Sequence, residues 1–374
     1  MSMSGPRTRA TLHDLVPAFV RTPDPSLIQL AANEAAYGPL PSVAEAVARE
    51  IGQVNRYPDD GAVGLRHTLA DWLGVAGAEV ALGAGSLGLL EQVMQALCDQ
   101  GSEVVYPWRS FDVYPQLIRV AGATPRPVPL HEERNDLEAM LASVGGRTRV
   151  VIVCNPNNPT GPAIGRSELE SFLRRLPRTV TVLLDEAYFE YVRDPTVPDG
   201  LTLLREHPNL AVLRTFSKAY GLAALRVGYL VARREIVEAV DKTHVTYSVS
   251  RLAQAAALAS IDAQEELGKR IEETVSERGR VRDTLLSQGW RVPVSEGNFV
   301  WLRLGAASQG FGKDLERFGV AVKVVPDEGV RMTIGTREEN DVFLEAADAI
   351  REAALSSGGR PPGDGHVQLT PPGS

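Results

Sequence analysis

Lys218 stands in the run Arg214-Thr-Phe-Ser-Lys-Ala-Tyr-Gly-Leu-Ala-Ala-Leu-Arg226, with hydroxyls at Thr215 and Ser217 before it and a guanidinium eight residues after it. The preceding apolar residues, Leu210 to Leu213, read as a buried strand. A lysine just past a strand end can be desolvated enough to spend time as the neutral amine that condenses with an aldehyde. Thr215, Ser217 and Arg226 together would neutralise and hydrogen-bond a dianion. These are parts for holding a phosphate beside an amine. A second group is Asp185-Glu-Ala-Tyr188, which ends the apolar run Thr179 to Leu184. A carboxylate at a buried strand end costs several kcal/mol unless a partner compensates it, and a cationic ligand would be such a partner.

The elements that must position these groups follow from the hydrophobic pattern. Val80-Ala-Leu-Gly83-Ala-Gly85-Ser86-Leu87 reads as a short strand, a glycine turn and the start of a helix running towards Leu97, where free N–H groups favour an anion. Glu103 to Pro107 is a strand, and a flat aromatic beyond its end, Trp108 or Phe111, could stack on a heteroaromatic ring. Arg149 to Cys154 is nearly all apolar, as expected of a strand buried on both faces in a parallel sheet. It leads into Asn155-Pro-Asn-Asn158-Pro-Thr-Gly161, whose prolines stiffen a loop that aims an amide. Gly85, Phe111, Asn158, Asp185 and Lys218 thus all sit at carboxyl ends of predicted strands, where open α/β sheets bind ligands.

A chain of 374 residues, 44% hydrophobic and 23% charged, can bury a core large enough for two domains. The net charge of −8 and the lack of a basic stripe exclude a nucleic-acid surface. Cys98 and Cys154 lie in apolar runs without metal-ligand spacing, so no metal is expected and a reducing compartment is. No run approaches the roughly 20 apolar residues of a membrane span, and the N-terminus lacks a signal-type core, so the expectation is a soluble cytoplasmic protein. The predicted organisation is an arm over residues 1–24, a segment 25–54 packing with a small domain, a large domain 55–250, a small domain 251–355 and a disordered tail 356–374. One long helical pattern is predicted from Leu252 to Arg282.

Thr215-Phe-Ser-Lys-Ala-Tyr-Gly-Leu-Ala-Ala-Leu-Arg226-Val-Gly-Tyr, with the Asn155–Gly161 heptapeptide and Asp185-Glu-Ala-Tyr188, resembles the fold-type I pyridoxal-phosphate aminotransferases, in the branch of histidinol-phosphate and aromatic (phenylalanine) aminotransferases. The resemblance spans about residues 28 to 352. It implies an α/β fold, with a large domain of mostly parallel sheet flanked by helices and a smaller α/β C-terminal domain. It implies pyridoxal 5'-phosphate as cofactor, held covalently by Lys218, with its phosphate against Arg226, Thr215, Ser217, Gly85, Ser86 and the N–H of Leu87. Phe111 would stack on the ring, Asn158 and Tyr188 would bond its oxygen, and Asp185 would pair with its protonated nitrogen. Lys218, Asp185 and Tyr188 are then the catalytic residues of a ping-pong transamination. Asn55-Arg-Tyr57-Pro matches a segment whose tyrosine reaches the neighbouring subunit's phosphate, which implies a homodimer. Arg331 matches the arginine that forks onto a substrate α-carboxylate, and Asn33 and Tyr37 match the substrate mouth. The partners implied are a small amino acid and a keto acid. Two departures stand out: relatives often carry an acidic residue where Leu87 stands, and histidinol-phosphate enzymes usually carry arginine where Lys323 stands.

The connection Val324-Val-Pro-Asp-Glu-Gly-Val330 is short, and Asp327 and Glu328 within it are expected to repel a dianionic substrate. With Trp108-Arg-Ser-Phe-Asp-Val-Tyr114, this favours an aromatic L-amino acid with 2-oxoglutarate. The alternatives are histidinol phosphate, for which Lys323 would serve as a point charge, and a decarboxylase of the same branch. A non-catalytic binding protein on this fold is disfavoured by the intact Lys218.

Overall fold

The computed structural model describes residues 24–356 together with Arg9, Leu12 and Leu15. Most of the expected arm, and the expected tail beyond Ser356, lie outside the described residues.

Seven strands form the large sheet: β2 (Val80–Gly83), β3 (Glu103–Trp108), β4 (Thr124–Pro129), β5 (Thr148–Cys154), β6 (Thr181–Asp185), β7 (Leu210–Thr215) and β8 (Gly228–Ala232). Their order is β2-β8-β7-β6-β5-β3-β4, and β8 alone runs antiparallel to its neighbours. Sequence alternation decides which layer each residue joins. Val150, Ile152 and Cys154 face one helical layer while Val151 and Val153 face the other, so β5 is apolar from Val150 onward because both faces are covered there. The helices flanking this sheet are α2 (Val63–Leu73), α3 (Gly85–Leu97), α4 (Tyr114–Val120), α5 (Leu137–Ala142), α6 (Arg166–Arg175) and α7 (Arg234–Asp241).

The smaller sheet joins β1 (Ile28–Leu30), β10 (Val320–Val325), β11 (Gly329–Thr333) and β9 (Phe299–Arg303) in the order β1-β10-β11-β9. Its own core holds Val300, Leu302, Leu315 and Phe343, with α10 (Ser308–Arg317) and α11 (Arg337–Ser356) supplying the last two. The 25–54 segment divides between the domains. β1 pairs in parallel with β10, but α1 (Pro41–Glu50) buries Val43 in the core that α2 and α8 (Arg251–Asp262) share. Alanines 253, 256 and 257 of α8 are fully buried there, and such small side chains let helices approach closely.

The predicted long helix is two helices, α8 and α9 (Gln264–Ser287). The backbone leaves helical geometry at Ala263 (φ −98°, ψ 29°), whose N–H reaches the Ser260 carbonyl at 3.3 Å, and the Gln264 side chain donates to the same carbonyl at 2.8 Å. The capping amide offsets the hydrogen bond lost at the break.

Candidate active site

The anion end is built by three segments. α3 begins at Gly85, whose φ of +72° is a left-handed conformation that glycine adopts without strain. A Cβ there would stand 2.5 Å from Nη2 of Arg226, so the guanidinium lies directly over the helix N-terminus. Arg226 itself has φ 56°, a conformation costly to a long side chain and held by its surroundings. Its Nη1 donates to Ser217 Oγ at 3.1 Å, and Thr215 Oγ1 donates to the same oxygen at 3.0 Å. Gly228 on β8 completes the close approach, since a Cβ there would meet the Ser86 nitrogen at 2.7 Å. A guanidinium, two hydroxyls and the amides of Ser86 and Leu87 at the start of α3 thus converge, which is the composition of a dianion cradle.

Lys218 follows β7 on the adjoining turn, half-buried, with Nζ donating to the Ala32 carbonyl at 3.0 Å. Burial lowers its pKa to about 7; Arg331 and Arg226 add repulsion, while Glu34 and Asp185 oppose it. Burial therefore favours the neutral amine, the form a nucleophile requires. Asp185, at the end of β6, receives Tyr114 Oη at 2.6 Å and the Ala187 N–H at 3.2 Å, both neutral donors. Burial raises its pKa, the donors and Lys218 only partly offset this, and among the described residues no cation hydrogen-bonds the carboxylate. Tyr188 is pushed up to about 12 by burial and stays a donor. Its hydroxyl receives Asn33 Nδ2 at 2.9 Å, and Asn33 Oδ1 receives Thr333 Oγ1 at 3.0 Å. Asn33 is 0% exposed, so it orients Tyr188 where sequence reasoning expected it to line a substrate mouth. Buried Cys154 has its thiol pushed up to about 12 by desolvation and is inert.

Arg331 on β11 reaches from the small domain into the same space. It donates to Asn158 Oδ1 at 2.5 Å and to the Ala31 carbonyl, which brings the predicted carboxylate-binding residue and the predicted ring-oxygen residue together. Phe111 sits edge-on to Tyr114, ring centroids 5.6 Å apart, beside the Asp185 carboxylate that Tyr114 bonds. Tyr37 is turned away, its hydroxyl against Glu273 of α9, so this chain does not bring it to Lys218. Tyr57 is 76% exposed and stacks on Tyr247 at 4.3 Å, on an outer surface. Glu328 was expected as a free negative charge; it is bound to Arg109 Nε at 2.9 Å, and Lys323 Nζ is 2.9 Å from Asp112. Sequence reasoning missed Tyr114, Thr333 and Asn298, the last of which donates to the Asn33 carbonyl at 3.2 Å.

Residues 25–346 match the family described as aminotransferase class I and II. An aromatic amino acid aminotransferase of Thermobifida fusca is 55% identical over 87% of this chain and 90% of its own length. One of Rhodococcus opacus is 51% identical over 94% of this chain and 98% of its own. A crystal structure of the histidinol-phosphate aminotransferase of Sinorhizobium meliloti, in complex with pyridoxal-5'-phosphate, superimposes with a TM-score of 0.85 at 28% identity, covering 94% of this chain and 99% of that one. On the extent of these matches, the chain belongs to the class I and II aminotransferases.

Proposed function

We propose that this aminotransferase uses pyridoxal 5'-phosphate to move an amino group between an aromatic L-amino acid and 2-oxoglutarate. The observation that carries the cofactor reading is the placement of Lys218 between a dianion cradle and a buried carboxylate without a cation. A phosphate would fit the Arg226, Ser217, Thr215 and α3 end, and a protonated heteroaromatic nitrogen would complete Asp185. Pyridoxal phosphate, when bound, supplies an electron sink for the charge left when a substrate α-carbon loses its proton. This chain's residues do the rest. Lys218, poised near neutrality, would take the proton from the substrate α-carbon and hold it on Nζ as general acid/base. Asp185 would keep a heteroaromatic ring nitrogen protonated, and Tyr188 and Asn158 would donate to the ring oxygen. Arg331, freed from Asn158, forks onto the substrate α-carboxylate, and Phe111 provides an apolar wall.

The aromatic assignment is supported by the relatives at 46–55% identity that carry that name and by the pairing of Lys323 and Arg109 with carboxylates. A second reading, histidinol phosphate, is supported by the name of the 28% identical structural neighbour. Measuring kcat/KM for phenylalanine, tyrosine and histidinol phosphate side by side decides between them. Phenylalanine or tyrosine is expected to lead, with one keto acid formed per amine transferred and no carbon dioxide. A lead of about tenfold for histidinol phosphate, about 1.4 kcal/mol of transition-state preference, refutes the aromatic reading. Release of carbon dioxide would instead mark a decarboxylase.

A homodimer is part of the proposal. Ile51, Val54, Tyr57, Val245 and Tyr247 are exposed apolar residues, and Arg251 Nη2 holds the Tyr57 carbonyl at 3.2 Å. Mixing Tyr57→Phe with Lys218→Ala subunits is expected to restore activity through hybrid dimers, and a fully active monomer in sedimentation would refute this. Among the described residues no helix is long and apolar enough to cross a membrane. A cytoplasmic location is proposed from the two buried free thiols, and fractionation of cells tests it.

A further inference from the structure

At the rim of the site four charges cancel in pairs across the two domains. Arg109 and Asp112 belong to the turn between β3 and α4; Lys323 and Glu328 belong to the β10–β11 hairpin. Arg109 clasps Glu328 through Nε (2.9 and 3.1 Å) and through Nη2, and stands 3.6 Å from Asp112. Lys323 Nζ lies 2.9 Å from Asp112. Lys323 is also the direct cross-strand partner of Arg331, so the two side chains leave the same face of the small sheet with Cβ atoms about 5 Å apart. A substrate whose α-carboxylate sits on Arg331 would therefore lie within reach of these pairs.

We infer that Asp112 and Glu328 are specificity-determining residues. They occupy the two cations that would otherwise hold a second anionic group on the substrate, and so reserve the mouth for uncharged side chains. The physical reason is compensation. A phosphate arriving beside Lys323 would have to displace Asp112 or share the lysine with it, and beside Arg109 it would meet a guanidinium whose fork is already filled. An uncharged ring breaks neither pair. Because both bridges join the two domains, they also hold the hairpin against the turn that carries Phe111. This inference rests on the aromatic reading above and names the residues behind it.

The test is made on the holoenzyme carrying Asp112→Asn and Glu328→Gln together. The ratio of kcat/KM for histidinol phosphate to that for phenylalanine is expected to rise at least roughly tenfold, as two cations are released towards a dianion. Half-saturation by histidinol phosphate, followed in the absorbance of the bound cofactor, should fall in step. Adding Lys323→Gln should remove most of the gain. Should the double variant be recovered unfolded, Asp112→Asn alone, at a half-exposed position, carries the same expected direction. A ratio that moves by less than about threefold, or a parallel loss for both substrates, overturns the inference. If the wild-type enzyme already prefers histidinol phosphate, the aromatic reading and the inference fall together. If it prefers phenylalanine while the variant ratio stays put, only the inference falls.

Discussion

Asp185 and Glu186 are neighbours in sequence, both buried at the end of β6, and they point to opposite faces of the sheet. Glu186 faces the scaffold and finds its cation there, although burial still leaves its pKa raised. Arg214 donates to it through Nε at 2.9 Å and Nη2 at 2.7 Å, and the Gly200 N–H adds a bond at 2.9 Å. Burial works against the Arg214 charge, yet Glu186 and Asp199 hold its pKa well above the ordinary arginine value. Asp185 faces the site and, among the described residues, receives only a phenol and one amide. On the scaffold side the protein supplies both ions of the pair. On the site side it supplies one, and the ligand proposed above would bring the other.

The sharpest way to break that comparison is to neutralise each carboxylate in turn. Asp185→Asn is expected to lower kcat by about 10³-fold, roughly 4 kcal/mol, because the ligand cation loses its partner at the moment it is needed. Its urea midpoint should be unchanged or higher, since no protein cation is orphaned. Glu186→Gln should do the reverse, costing about 3 kcal/mol of stability in urea unfolding by leaving Arg214 buried with Asp199 alone. Its turnover per folded molecule should stay within a few-fold of wild type. If Glu186→Gln lost turnover and kept its stability, the division between the two faces would be wrong.

Lys218 sharpens the same contrast through pH, because it is the cation closest to Asp185 in function and is itself kept from full charge. Its folded pKa is depressed from the ordinary 10.5 to about 7. Between those values the unfolded chain holds a proton that the folded one does not. The stability owed to this group is therefore complete above about 10.5 and is lost as pH falls to about 7, with a slope of at most about 1.4 kcal/mol per pH unit. In cofactor-free protein the stability of Lys218→Met relative to wild type should be largest below pH 7 and shrink as pH rises. A difference constant from about pH 6 to about pH 10 would mean the amine is not desolvated.

Much of this site was legible because local sequence carries it. Gly85, Asn158, Asp185 and Lys218 each follow an apolar run, and the parallel sheet delivers all four ends to one edge without further instruction. What stayed hidden depends on contacts remote in sequence. Tyr114 meets Asp185 across 71 residues, Asn33 meets Thr333 across 300, and Arg109 meets Glu328 across 219. The sign of Glu328 could be read from its neighbours in the chain, but its partner could not, so a repelling charge turned out to be a compensated one. Helix periodicity likewise ran straight through Ala263, because a single residue leaving helical geometry does not disturb an apolar pattern.

The smallest expected effect tests whether the phenol on Asp185 belongs to the site or only to the core. Tyr114 is buried and packs against Tyr106 and Phe111, so Tyr114→Phe keeps the ring and removes one donor. A hydrogen bond to a charged acceptor contributes about 1.5 kcal/mol, so kcat should fall roughly tenfold. The direction in pH separates the two roles. Burial already raises the Asp185 pKa and the Tyr114 hydroxyl opposes that rise, so without the hydroxyl the carboxyl takes up a proton at a higher pH. The acid limb of the kcat profile should then move upward, and affinity for pyridoxal phosphate should weaken in parallel. A loss of stability with an unmoved acid limb would assign Tyr114 to packing and leave Asp185 to be tuned by its N–H donor and its ligand alone.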